Sequence, residues 1–178
     1  MRRRLSSLVA ALALAVPALA FASQPAGVAV EPGHTIETLK NVSATEDVFA
    51  DHFPGHPILP GALVVESFQQ AAQILIAMSH DFTRIGRLTR LTRVAFRHFV
   101  RPGDQLRLRC ERRSAAEGWV LAASADVDGR RVATATLEYT LEDAAPGTAA
   151  AGAAERLRAL VRELQQSPLD LAPRGISA

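Results

Sequence analysis

The sequence predicts an α+β domain, an antiparallel sheet wrapped around one long central helix. Three observations predict it. Strand signals fall into two groups, two early and four late, rather than alternating with helices. A single unbroken apolar helix pattern, Ala62 to Met78, lies between the groups. Tight-turn signals punctuate the strands, the strongest being Asp128-Gly129. At 178 residues the chain has the length of one domain with room for extra segments at its ends. A hydrophobic fraction of 48% supplies a real core, and a net charge of +2 gives no global case for nucleic acid. The sole cysteine, Cys110, excludes an internal disulfide and a multi-cysteine zinc site; it reads as a small residue in a strand.

Taken in order, Val28 to Val42 reads as strand–turn–strand, with Glu31-Pro32-Gly33 as the turn and Ile36, Leu39 and Val42 apolar on the return. Ala44 to Ala50 leads into the stretch around which the chain is organised, Asp51 to Met78. It begins D-H-F-P-G-H-P-I-L-P-G. After His52 come Pro54, Gly55, Pro57, Pro60 and Gly61, too many breakers for a helix or a central strand, so this part is loop. Ala62 to Met78 is then apolar on nearly every side, the pattern of a helix buried in a core. Glu66, Gln69, Gln70 and Gln73 interrupt it too often for a convincing membrane span. Ser79 to Gly86 reads as loop and Arg87 to Phe99 as a strand. A turn at Arg101 to Gly103 precedes Asp104 to Arg113, where Leu106, Leu108 and Cys110 alternate with Arg107, Arg109 and Glu111. Trp119 to Val127 and Arg131 to Leu141 form a hairpin. Residues 24–143 thus make the domain. Ala144 to Ala154 reads as a flexible Ala/Gly/Pro linker. Glu155 to Gln166 reads as an amphipathic helix, with Leu157, Leu160, Val161 and Leu164 on the face expected to pack on the core. Ser167 to Ala178 carries no clear pattern.

Three features carry chemistry. His52 precedes a proline-braced loop, and an imidazole takes or gives a proton near neutrality. Gly61 opens the helix, where unpaired N–H groups and the positive dipole end can polarise a carbonyl oxygen. Glu66 is the one carboxylate in an apolar helix; burial favours its protonated form, which suits a general acid. Gln70 and Gln73 follow at helical spacing, giving one polar stripe with Glu66. Taken singly, a histidine in a Pro/Gly loop is usually a turn residue and a lone helical Glu usually snorkels to water. The combination is what points to chemistry.

That combination resembles the hot-dog-fold 3-hydroxyacyl-[acyl-carrier-protein] dehydratases of the FabZ type. Their signature, H-F-P-G-x-P-x-x-P-G-x-L-x-x-E-x-x-x-Q, is met by His52, Phe53, Pro54, Gly55, Pro57, Pro60, Gly61, Leu63, Glu66 and Gln70. V-A-F-R-H-F-V-R-P-G-D-Q-L, Val94 to Leu106, and K-N-V-S, Lys40 to Ser43, are similar to further family stretches. The resemblance covers about Val28 to Leu141. It implies His52 as catalytic histidine, Glu66 as catalytic acid, the Gly61 N–H as donor to the thioester carbonyl, and Phe53 and Gln70 as substrate-binding neighbours. It implies no metal or other cofactor. Glu rather than Asp at position 66 favours the FabZ type over its isomerising relative. The resemblance also implies a homodimer or higher homo-oligomer, with His52 and Glu66 meeting across the interface, and an acyl carrier protein as partner, with no nucleic acid and no membrane. Asp51 stands where the family commonly has Gly, and Thr89-Arg90 where it often has Ala-Gly, which bears on the acyl tunnel.

Residues 1–23 fit two readings. Arg2, Arg3 and Arg4 before an apolar run ending A-F-A are the pattern of an export signal. Alternatively, Pro17, Leu19 and Phe21 are a worn form of the family's first helix and strand. The second, cytoplasmic reading is preferred because the chemistry needs a carrier protein that is found there. Arg84, Arg87, Arg90, Arg93, Arg97 and Arg101 form either a docking patch for that acidic carrier or an ordinary solvated strand face. The function so implied is dehydration of 3-hydroxyacyl to trans-2-enoyl thioesters in fatty acid or specialised lipid synthesis. The alternatives are a coenzyme A hydratase or thioesterase on the same fold and a non-catalytic partner subunit.

Overall fold

The computed structural model describes residues 25–51, 55–113 and 118–166. The segments 1–24 and 167–178, and with them the signal-or-helix question and the C-terminal tail, lie outside the described residues. β1 (Pro25–Glu31) and β2 (Thr35–Asn41) form a hairpin. A short helix, α1 (Val48–Asp51), is followed by α2 (Gly61–Ser79). Four strands come next, β3 (Arg84–Phe96), β4 (Gln105–Arg113), β5 (Trp119–Val127) and β6 (Arg130–Asp143), and then α3 (Ala149–Gln166). The strands make one antiparallel sheet in the order β1-β2-β4-β5-β6-β3. This is the expected α+β arrangement.

The helix lies inside the sheet, touching β2 through β6. Val64, Phe68, Ala71, Ala72, Ile74, Leu75, Ile76 and Ala77 are buried, with the densest run from Ile74 to Ala77. The sheet supplies the other half by alternation. Leu106, Leu108 and Cys110 of β4 are 0–2% exposed while Arg109 between them faces water. Trp119, Leu121, Ala123 and Ala125 of β5 repeat the pattern. Each large side chain fully buried this way contributes about 1.5–3 kcal/mol. By length and composition α2 would cross a membrane, but half of it is buried within this fold, as befits a core helix. At the β5–β6 turn, Asp128 (φ 49°) and Gly129 (φ 76°) adopt the paired left-handed conformations of a two-residue hairpin loop.

Two boundaries differ from expectation. β3 runs from Arg84 to Phe96, three residues earlier at both ends than the predicted Arg87 to Phe99. At its start Arg84 and Arg87 form cross-strand ion pairs with Asp143 and Glu142, carrying the ladder to the end of β6. At its finish a bulge between Thr92 and Ala95, with Arg93 at φ 53°, breaks the register. The second difference is the predicted linker, of which residues 149–154 are helix. The Thr148 hydroxyl accepts the Ala151 N–H at 3.1 Å, an N-cap that starts α3 inside the alanine tract. Ala150 and Ala154 are buried with Ile85. Further along, Val161 and Leu164 are buried in the main core, with Leu157 and Leu160 packed against it, so the helix packs on the domain as the face predicted.

Candidate functional site

The site is built on the start of α2. The preceding loop is pinned by the Leu59 N–H, which donates to the Val100 carbonyl at 2.7 Å, with Leu59 itself buried. Pro60 stands in the N-cap position, and its carbonyl accepts the N–H groups of Leu63 and Val64. It offers no side-chain cap, so the Gly61 N–H has no partner among the described residues. A helix start with an unclaimed N–H is a donor for a developing negative charge.

Gly61 has a neighbour the sequence did not disclose. A Cβ placed there would lie 2.7 Å from Cζ of Phe96 and 3.0 Å from two further ring atoms. The Phe96 ring, 53% exposed, thus lies across the helix start from the end of β3. In the sequence Phe96 reads as an apolar position of the strand and as one residue of the V-A-F-R-H-F stretch. Its apolar character at an exposed strand end was the one available signal.

Glu66 lies further along the same helix and is half-buried. The Gln70 Nε2 donates to its Oε1 at 3.4 Å, so these two members of the expected polar stripe are joined. Gln73 is not: its Nε2 donates to the Gly86 carbonyl at 2.5 Å and ties α2 to β3. His52 and Phe53 lie outside the described residues; α1 ends at Asp51, the residue before His52. A residue not singled out from sequence also belongs to this region. Lys40, at the end of β2, is only 8% exposed. It lines a narrow cleft between β2, β4 and α2 together with Thr38, Ser67 and Gln70.

The arginine-rich strand divides in two. Arg84, Arg87 and Arg90 are paired with Asp143, Glu142 and Glu138 at 2.7, 2.6 and 3.7 Å. Arg93, Arg97 and Arg101 are exposed and have no acidic partner among the described residues. The uncompensated charge is therefore at the end of β3 nearest Phe96. Thr89 and Arg90 are both exposed on this edge strand, and the Thr89 hydroxyl donates to the Glu138 carbonyl at 2.9 Å.

With this geometry in place, the chain can be set beside known proteins. A family model described as ApeI-like, the ApeI dehydratase, matches residues 29–135. Proteins named 3-hydroxyacyl-[acyl-carrier-protein] dehydratase FabZ from several bacteria are similar at 36–46% identity, and the chain covers 56–84% of their lengths. The relative from Geotalea uraniireducens is 40% identical over 122 residues, 66% of this chain and 84% of that protein. Among solved structures, the dehydratase heterocomplex ApeI:P from Xenorhabdus doucetiae superposes with a TM-score of 0.55 at 20% identity. The match covers 66% of this chain and 96% of that one. A hot-dog-like protein from Thermanaerovibrio acidaminovorans gives 0.54 at 19% identity, over 64% and 84% of the two chains. The fold is the hot-dog fold.

Proposed function

Because the chain belongs to the ApeI-like dehydratase family, we propose that it removes water from 3-hydroxyacyl chains carried on acyl carrier protein, with His52 and Glu66 as the catalytic pair. His52 takes a proton from the carbon next to the thioester. The electron pair moves toward the thioester oxygen, where the Gly61 N–H steadies the growing charge. The bond from the next carbon to its hydroxyl then breaks, and Glu66 gives that oxygen a proton so that it leaves as water. The product is the trans-2-enoyl thioester. The single observation that carries this reading is the joint placement of Gly61 and Glu66 on one helix, the first with its N–H unclaimed and the second held by Gln70.

The pair is proposed to work across a homodimer. β3 is a sheet edge, and Leu91, Val94 and Phe96 on it, with Phe99 just beyond, are large apolar side chains exposed in the single chain. Arg93, Arg97 and Arg101 form the surface offered to the acidic carrier, and the reaction so read runs in the cytoplasm, in fatty acid or a specialised lipid synthesis. No metal or other cofactor takes part in these steps.

The test is an absorbance assay of enoyl formation and of the reverse hydration. It uses short- and medium-chain substrates on acyl carrier protein and on coenzyme A, with free acid measured in parallel. The parent is expected to turn over carrier-bound substrate without releasing acid, and His52→Ala and Glu66→Gln each to lose about 10²–10⁴-fold. Release of free acid would make the protein a thioesterase. A folded dimer inert on every substrate would make it a partner subunit, the counterpart of one half of a heterocomplex.

A further inference from the structure

The ring of Phe96 leaves less than a methyl group's room beside Gly61. A Cβ built on Gly61 would lie 2.7 Å from Cζ of that ring and 3.0 Å from Cε1 and Cε2. Carbon atoms in contact settle about 3.5–4.0 Å apart, so the space on this side of the helix start holds hydrogen but not methyl.

The backbone fixes the gap from both sides. Ahead of Gly61, the Leu59 N–H donates to the Val100 carbonyl at 2.7 Å, and both residues are buried. Just before Val100, the end of β3 is held as firmly. Phe96 pairs with Ala133 of β6, and the Arg97 N–H donates to the Val132 carbonyl at 2.7 Å. Val132 and Ala133 are themselves buried. The loop before α2 and the end of β3 therefore form one assembly, and the gap cannot widen by a shift of either. Only the ring can turn aside, and that costs its contact with the helix.

This gap borders the reacting atoms. A thioester oxygen on the Gly61 N–H brings the carbon that loses its proton to within one bond of the carbonyl carbon, beside the ring tip. The sulfur, on the other side of the carbonyl, leads out toward the carrier. An unbranched chain has only hydrogens on that carbon besides the chain itself. A 2-methyl chain keeps one hydrogen there, so elimination is chemically open to it, and room alone separates the two substrates.

We propose that Phe96 is a specificity-determining residue, which restricts the reaction to 3-hydroxyacyl chains unbranched at the carbon next to the thioester. Its ring occupies the space that a 2-methyl group needs beside the Gly61 N–H. The inference rests on the dehydration and on the role of Gly61 proposed above.

The experiment measures kcat/KM of the parent, Phe96→Ala and Phe96→Leu on two substrates carried on acyl carrier protein. These are 3-hydroxybutyryl and 2-methyl-3-hydroxybutyryl, the latter in each configuration at the branched carbon, and His52→Ala is run alongside. The parent is expected to favour the unbranched chain by about 10- to 200-fold over the better-used branched one, the size of effect a single methyl group commands. Phe96→Ala is expected to narrow that ratio to about threefold or less, with Phe96→Leu in between. The ratio is the deciding readout, because Phe96 also lies on the proposed dimer face. Lost folding or lost dimer lowers both substrates alike and leaves the ratio unmoved. The inference is overturned if the parent uses both chains within about threefold of each other, or if both variants keep the parent's ratio. Should Phe96→Ala fail to fold, the ratio for Phe96→Leu decides. Failure of the underlying reading looks different: the parent would then be inert on the unbranched chain, or His52→Ala would retain its turnover, and the inference would fall with it.

Discussion

A methyl group on Gly61 and the ring of Phe96 cannot occupy their present places together, since they would lie 2.7 Å apart. Phe96 is half exposed, so the ring, not the helix, would yield. Gly61→Ala is therefore expected to fold normally but to move the aromatic wall beside the unclaimed N–H, lowering kcat/KM about tenfold or more. Gly61→Ala/Phe96→Ala is expected to recover part of that loss, as it removes the clash. Steady-state kinetics on the three variants checks this; a double variant worse than the sum of its parts would show that the ring itself serves the substrate. Glu66 and Gln70 were legible as neighbours because residues four apart on a helix share a face, and Gly61 because it marks where the helix begins. Phe96 and Lys40 were not, because both reach the site through tertiary pairing of β3 and β2 with α2, which no local pattern encodes.

The two helices show what local pattern does and does not decide. α2 was legible almost to its ends, because its apolar run is bounded by Gly61 and by the turn after Ser79. The alanine tract before α3 was not, since Ala, Gly and Pro are shared by linkers and helix starts. The Thr148 cap and the burial of Ala150 and Ala154 against Ile85 settle it as helix. At the C-terminal end of α2, His80 occupies the cap position with its ring edge-on to Trp119 at 5.7 Å and its Nε2 buried without a hydrogen-bond partner among the described residues. Burial, then the nearby Arg84 and Arg112, hold its imidazole below the ordinary value of 6.5. In the folded chain it stays neutral at pH values where the unfolded chain already binds the proton. Stability is thus retained above 6.5 and declines as the pH falls below it. Melting curves between neutral pH and mildly acidic pH are expected to show that decline, and His80→Gln to flatten it. An unchanged slope would assign the decline to other groups.

Across the whole molecule, the sheet closes on the helix but not on itself. Its β3 edge keeps Leu91, Val94 and Phe96 in water, with Phe99 following at 69% exposure. Phe99→Glu is expected to shift the protein toward monomer on size-exclusion chromatography. It should lower turnover in parallel while leaving the circular dichroism spectrum intact. A monomer of full activity would mean that each chain carries a complete site. The fold class was legible at this scale because two strands, one helix and four strands admit few sheets. The strand order was not, because it depends on β3 travelling to the far edge to pair with β6.

The chain's one thiol gives this closed architecture a clock. Cys110 is wholly buried on β4, its Sγ–H directed to the Phe68 carbonyl of α2, and burial pushes its pKa up to about 12. A thiol in that state does not react with an alkylating agent until helix and sheet part. With label in excess, so that reaction outruns reclosing, the pace at which the native protein takes up a cysteine label is the pace at which its core breathes open, read from a probe nature placed between the two halves of the fold.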